Sequence, residues 1–101
     1  MTSQEALFIF TDSSADKGKN LCGIGMVFYK AVYRGNWFQV GSRVLEKSEL
    51  HPGDRSSFAE RLALFRGLQI ALEMGYGHVF IFNDHLSVVK KLNSRMKEQD
   101  S

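Results

Sequence analysis

Three acidic residues stand where an apolar segment of the sequence meets a polar one. Asp12 follows the apolar run 6–10, Glu60 lies at the start of a predicted helix, and Asp84 follows the apolar run 79–82. If the two runs form parallel neighbouring strands, Asp12 and Asp84 emerge at the same carboxyl edge of the sheet, where open α/β sheets place their sites. We expect the first turn of the helix to bring Glu60 towards that edge.

Carboxylates that converge in this way repel one another unless cations lie between them. Mg²⁺ takes oxygen ligands and is commonly held by one or two carboxylates, while substrate phosphates and waters complete its octahedron. The chemistry that these three residues indicate is therefore a metal-assisted reaction at a phosphate.

Each acid also has a purely structural explanation. Asp12 could form an Asx-turn that leads into a loop. Glu60 completes the pattern S-x-x-E with Ser57, which is a helix capping box. Asp84 or Asn83 is well placed to cap a second helix. Taken singly, each acid is more often structural than catalytic. Their joint placement on successive elements favours the functional interpretation.

The elements that must position these acids follow from the apolar pattern. Residues 6–10 predict a buried strand, 21–32 and 37–44 two further strands of an antiparallel meander, and 79–82 a fourth strand. Gly23 and Gly25 suggest a bulge or a close backbone approach at the start of the second strand. The predicted turns and loops are residues 13–20, 34–36 and 46–55.

A helix separates the meander from the fourth strand. Gly75 supplies its stop signal, and a second helix follows residue 83. The apolar residues at helical spacing in the first helix are Phe58, Leu62, Phe65, Leu68 and Leu72. A helical crossover places the fourth strand parallel to the first. The predicted fold class is α/β, with a mixed sheet and the element order β-β-β-α-β-α.

Length and composition indicate the number of domains, the cellular location and the kinds of partner. The 101 residues predict one domain spanning 1–101, and the sequence holds no apolar run long enough to cross a membrane. The single cysteine, Cys22, excludes an internal disulfide and predicts an intracellular, cytoplasmic or nuclear, location. A net charge of +2 is too small to indicate nucleic-acid binding by itself.

Three segments of the sequence resemble the motifs of ribonuclease H-like domains, including the branch associated with retroviral and plant reverse transcriptases. Residues 10–14 read F-T-D-S-S and resemble a strand that ends in T-D-G-S. Residues 56–60 read S-S-F-A-E and resemble the helix motif S-x-x-A-E. Residues 75–84 end in N-D, are followed by S-V-V at 87–89, and resemble a strand that ends in T-D-S before a helix.

The resemblance implies an endonuclease that cuts the RNA strand of RNA–DNA hybrids with two Mg²⁺ or Mn²⁺ ions. Asp12 would then bridge both ions, and Glu60 and Asp84 would hold the ion on the side of the nucleophile. The implied substrate-binding residues are Ser13, Ser14, Ser56 and Ser57. The 2′-hydroxyl of the substrate is the group that separates RNA from DNA at such a site.

The sequence departs from the family pattern in ways that limit the expected activity. Ser13 replaces the motif glycine. The pattern also continues to a fifth strand and a last helix with a fourth acid, whereas this sequence ends at Ser101. We therefore expect the second ion to be held poorly and cleavage by this chain alone to be weak. The fourth strand, 79–82, would be an apolar edge that invites pairing with another chain, such as a homodimer.

Two alternatives remain open at this point. The chain could be a non-catalytic member of the same fold, a binding or dimerisation module that keeps the acids as helix caps. It could also bind nucleic acid without metal through the basic residues of the predicted second helix, Lys90, Lys91, Arg95 and Lys97.

Overall fold

Residues 5–83 are described by the computed structural model and form one sheet and one helix. The elements are β1 (Glu5–Asp16), β2 (Leu21–Arg34), β3 (Trp37–Pro52), α1 (Ser56–Glu73) and β4 (Val79–Asn83). The strand order is β3-β2-β1-β4, with β1 to β3 antiparallel and β4 parallel to β1. This confirms the predicted α/β class, the meander and the parallel fourth strand. The predicted second helix lies outside the described residues.

Strand β1 lies inside the sheet, between β2 and β4, and its side chains alternate between the two faces. Ile9 and Thr11 point towards α1, where an ideal Cβ on Gly67 would lie 3.3 Å from Cγ2 of Ile9. The alternate residues Phe8 and Phe10 point to the opposite face, as the two-residue period of a strand requires. The core under α1 also contains Cys22.

The strands are longer than the apolar runs predict. β1 continues through Asp16, so Asp12 lies inside the strand and the prediction that it ends the strand is wrong. β3 continues to Pro52, which reduces the predicted loop 46–55 to residues 53–55. Both polar extensions pair with β2. An antiparallel sheet can expose one face to water, so polar residues are compatible with strand structure there.

The first turn is correspondingly shorter than predicted. It covers residues 17–20, and Asn20 adopts the left-handed conformation with φ 53°. The carboxylate of Asp16 accepts hydrogen bonds from the backbone N–H groups of Gly18 and Lys19, at 3.0 and 3.3 Å. The irregularity of β2 lies at 28–31, not at the two glycines near its start.

Helix α1 packs on the sheet through small side chains. Its buried residues are Ala59, Ala63, Gly67, Ile70 and Ala71. The larger apolar residues Phe65 and Leu72 remain 73% and 74% exposed. The apolar residues that indicated this helix are therefore mostly not its buried face, because the close approach at Gly67 requires small residues next to the sheet.

The N-terminal end of α1 differs from the prediction, and its C-terminal end agrees with it. The helix begins at Ser56 with Arg55 as its N-cap, and no side chain caps it, so the predicted capping box of Ser57 and Glu60 is wrong. The predicted stop is confirmed, because Gly75 follows the last turn with a φ of +83°. A positive φ is a conformation that glycine adopts without steric cost.

The face opposite α1 carries a cluster that we call the aromatic layer. Its members are Phe8, Phe10, Tyr29, Tyr33, Phe38, Phe80 and Phe82. Their ring centroids lie 5.1–6.0 Å apart, mostly in tilted or edge-to-face arrangements. Among residues 5–83 no helix covers this layer. The homodimer predicted from the edge of β4 stays a prediction.

Candidate functional site

The carboxyl ends of β1 and β4 meet at one edge of the sheet. Their parallel ladder ends at the pair Thr11 and Asn83, and Asp12 is the next residue of β1. The buried Thr11 hydroxyl lies 3.4 Å from the carbonyl oxygen of Phe82 and 3.4 Å from Oδ1 of Asn83, either of which can accept its proton. Asp12 therefore stands just beyond the end of β4. Asp84 follows Asn83 in the sequence and lies outside the described residues.

Glu60 lies at the same end of the sheet for topological reasons. The chain leaves the C-terminal end of α1 and enters β4 where the backbone N–H of Leu7 donates to the carbonyl oxygen of His78 at 2.9 Å. The N-terminal turns of α1 therefore lie towards the carboxyl ends of β1 and β4. Glu60 precedes Gly67 by two turns and shares its side of the helix. That side packs on β1 and β4 through Ile9 and Ile81.

The structural explanations for these two acids do not hold. Asp16, not Asp12, accepts the hydrogen bonds of the first turn. Glu60 belongs to no capping box. Within residues 5–83 the carboxylates of Asp12 and Glu60 make no hydrogen bond or ion pair. Among these residues neither carboxylate is used to hold the fold together, and Asp12 is only partly exposed.

The donor chemistry of these acids suits a hard cation, because carboxylate oxygens are the protein ligands that Mg²⁺ prefers. In the described part of the chain no three His, Cys, Asp or Glu residues stand close enough to hold a metal ion. That part contains two of the three predicted ligands, Asp12 and Glu60. The third, Asp84, follows its last residue.

Asp12 lines a groove of about 310 Å³ across β1, β2 and β3. We call it the glycine groove, because Gly23 and Gly25 form its floor. The other residues that line it are Asp12, Ser13, Ser14, Ile24, Ser48, Glu49 and Leu50. The structure thus brings the predicted residues Ser13 and Ser14 together with Asp12.

The other two predicted serines lie elsewhere, at the N-terminus of α1. Ser57 lines a separate hollow of about 390 Å³ with Gly53, Arg55 and Arg61. Ser56 is the first residue of the helix and is exposed. The predicted substrate-binding residues therefore form two groups.

Sequence reasoning missed the β3 wall of the glycine groove. Ser48 and Leu50 fall in the segment that its polar composition predicts as a loop. The sequence does contain a signal for the floor of the groove, because Gly23 and Gly25 alternate with apolar residues at the start of β2. Alternate glycines leave one face of a strand without side chains.

A charged cluster ties β3 to α1 beside the core. Both carboxylate oxygens of Glu49 accept from Nε of Arg66, at 3.1 and 3.0 Å, and Nη1 of Arg66 donates to Gln69 at 3.0 Å. Nε2 of His51 lies 3.0 Å from Oε1 of Glu49. The hydrogen bond with His51, followed by the bonds and charge of Arg66, holds the pKa of Glu49 below its ordinary value. The cluster fixes the side of α1 that lies away from Glu60.

The mixed sheet with its crossover helix is the α/β architecture of a ribonuclease H-like domain. Residues 10–101 match the model of a family described as reverse transcriptase-like, and the chain belongs to that family. This confirms the resemblance drawn from the three motifs. None of the helical segments within residues 5–83 is long and apolar enough to cross a membrane.

A search of curated proteins found no match. A crystal structure of the native protease–reverse transcriptase of Prototype Foamy Virus matches with 25% sequence identity and a TM-score of 0.47. The match covers 80% of this chain and 11% of that protein, so this chain spans about a tenth of its length.

Proposed function

We propose that the chain is a metal-dependent endonuclease domain that cuts the RNA strand of RNA–DNA hybrids. The observation that supports this most directly is the position of Asp12. It stands one residue beyond the β1–β4 ladder and lines the glycine groove, and its carboxylate has no hydrogen bond or ion pair within residues 5–83. Membership of the reverse transcriptase-like family supports a nucleic-acid substrate.

In this proposal Asp12, Glu60 and Asp84 hold Mg²⁺ or Mn²⁺ at the carboxyl edge. When bound, such cations lower the pKa of an attacking water and neutralise charge that develops on the phosphate. The protein contributes the placement of two carboxylates on separate elements. β1 carries Asp12 and α1 carries Glu60, and the packing of α1 on β1 keeps the two elements in fixed relation.

The serines of the proposal bind the substrate on both sides of these acids. Ser14 lies beside Asp12 and can donate to or accept from a sugar hydroxyl. At the start of α1 no side chain caps the helix, which leaves the first backbone N–H groups near Ser56 and Ser57 available. Uncapped N–H groups at a helix N-terminus favour phosphate oxygens.

Cleavage of a labelled hybrid tests the proposal. Purified protein in excess over a hybrid with end-labelled RNA should nick the RNA strand in Mg²⁺ or Mn²⁺, and a chelator should stop it. Asp12→Asn should reduce the single-turnover rate by about a hundredfold or more, as the loss of a key electrostatic group commonly does. Glu73→Gln, at the far end of α1, is the control that should cleave like the wild type.

Two results would count against the proposal. If the wild type and Asp12→Asn produce the same cleavage, the activity does not come from this site. If the wild type binds the hybrid in a gel-shift assay but never cleaves it, the chain is a non-catalytic binding module of the same fold.

A further inference from the structure

The glycine groove has a regular construction across three strands. Asp12 pairs with Gly25, which pairs with Ser48. Ser14 pairs in the same way with Gly23, which pairs with Leu50. Residues paired across a sheet point to the same face, so each of these rows has a wall on β1, a gap on β2 and a wall on β3.

Neither the backbone nor the packing requires Gly25 to be a glycine. Positive φ angles among the glycines of residues 5–83 occur only at Gly35, Gly53 and Gly75. An ideal Cβ placed on Gly25 meets no heavy atom within 4 Å. Glycine weakens a strand, and its presence in a strand often marks the close approach of a ligand or of another backbone.

The walls of the groove carry the groups that a nucleotide needs. Asp12 repels an uncompensated phosphate at one end, which leaves the floor to a sugar and its base. The hydroxyls of Ser14 and Ser48 can exchange hydrogen bonds with ribose hydroxyls. Leu50, which is 75% exposed, offers an apolar surface to the sugar or base. A volume of about 310 Å³ lies at the lower end of the range for small-molecule sites.

We infer that the glycine groove is a subsite for one ribonucleotide of the substrate strand, next to the bond that is cut, and that the missing side chain of Gly25 admits it. This inference rests on the proposed function. It adds Gly25, Ser48 and Leu50 to the residues that the motifs indicate.

Gly25→Val tests the inference, because its expected effects on binding and on stability have opposite signs. The added side chain enters the open space beside Asp12 and should raise KM for the hybrid by about tenfold or more, the effect of losing a subsite without touching the chemistry. The kcat should stay within about twofold. The melting temperature should stay equal or rise, because β-branched residues favour strands.

Gly77→Val is the matched control. Gly77 also has no heavy atom within 4 Å of an ideal Cβ, has no positive φ, and lies outside the groove. Its KM should equal that of the wild type. Ser48→Ala is the second groove variant and should raise KM by about fivefold, the worth of one hydrogen bond. Gly25→Ala replaces Gly25→Val in the comparison if the valine variant melts early.

Binding and cleavage of the hybrid together distinguish a failure of the inference from a failure of the proposed function. The dissociation constant for the hybrid, measured by fluorescence anisotropy, gives a readout that does not depend on cleavage. If the groove variants bind and cleave the hybrid with wild-type constants, the inference is wrong while the proposed function stands. If the wild type neither binds nor cleaves the hybrid, the proposed function fails and the inference fails with it.

Discussion

The two faces of the sheet are built in different ways. Under α1 the side chains of Ile9, Met26 and Phe28 have no exposed surface, and small helix residues allow a close approach. The opposite face carries the aromatic layer and the glycine groove, and its Phe80 and Phe82 remain 41% and 39% exposed. The covered face holds the fold together. The groups that could meet a substrate lie on the open face and along the carboxyl edge.

Truncating a side chain on each face should show the largest difference in stability between the two faces. Ile9→Ala should reduce the free energy of unfolding by about 2–5 kcal/mol, because it leaves a cavity under α1. Phe82→Ala removes a ring that is partly in water already and should cost about 1–2 kcal/mol. Urea denaturation of both variants measures the difference. Equal losses would mean that the open face is as well packed as the covered one.

Enlargement of glycines should give the same contrast. Gly67→Leu forces a side chain against Ile9, Thr11 and Ile81, and should cost about 1–3 kcal/mol by overpacking. On the open face Gly25→Val should cost nothing. Thermal melts followed by circular dichroism report both changes. A Gly67→Leu variant as stable as the wild type would contradict the close packing of α1.

The charged cluster on the covered face should make stability depend on pH. The pKa of Glu49 is held below its ordinary value in the folded protein, so the cluster stabilises the fold fully above that ordinary value. The contribution is lost as the pH falls through the lowered pKa, because the folded state then takes up the proton too. Urea denaturation from neutral pH to below pH ~4 measures the free energy of unfolding. As the pH falls, this free energy should decrease less in Glu49→Gln than in the wild type.

The smallest effect is expected from the ion pair on the open side of β3. Nη1 of Arg43 lies 2.9 Å from Oε2 of Glu46, and the two side chains are 51% and 57% exposed. Arg43→Ala should change stability by about 0.5 kcal/mol or less, whereas Arg66→Ala should cost about 1 kcal/mol, because Arg66 and Glu49 are largely buried. The reverse order would mean that burial does not distinguish the two pairs.

The sequence predicted the parts of the molecule whose pattern depends on local burial. The runs 6–10 and 79–82 became neighbouring parallel strands, and the stop at Gly75 was correct. The polar halves of β1 and β3 were missed, since their strand structure comes from pairing with β2. No local pattern records such pairing, because polar strands and loops have similar compositions.

The candidate site was predicted in part for the same reason. The placement of Asp12 at the carboxyl edge follows from the element order, and the structure agrees with it. The capping box, which the motif S-x-x-E offers as the structural alternative for Glu60, is not formed, because α1 begins one residue before Ser57 and no side chain caps it. The groove walls at Ser48 and Leu50 depend on the register of β3, which composition does not encode.

Calorimetric titration with Mn²⁺ tests most directly whether Asp12 and Glu60 belong to one cation site. The wild type and Glu73→Gln should show saturable binding, and Asp12→Asn and Glu60→Gln should each weaken it by at least about tenfold, since even outer residues of metal sites have effects of this size. No saturable binding to the wild type, or the same affinity in all four proteins, would contradict the account.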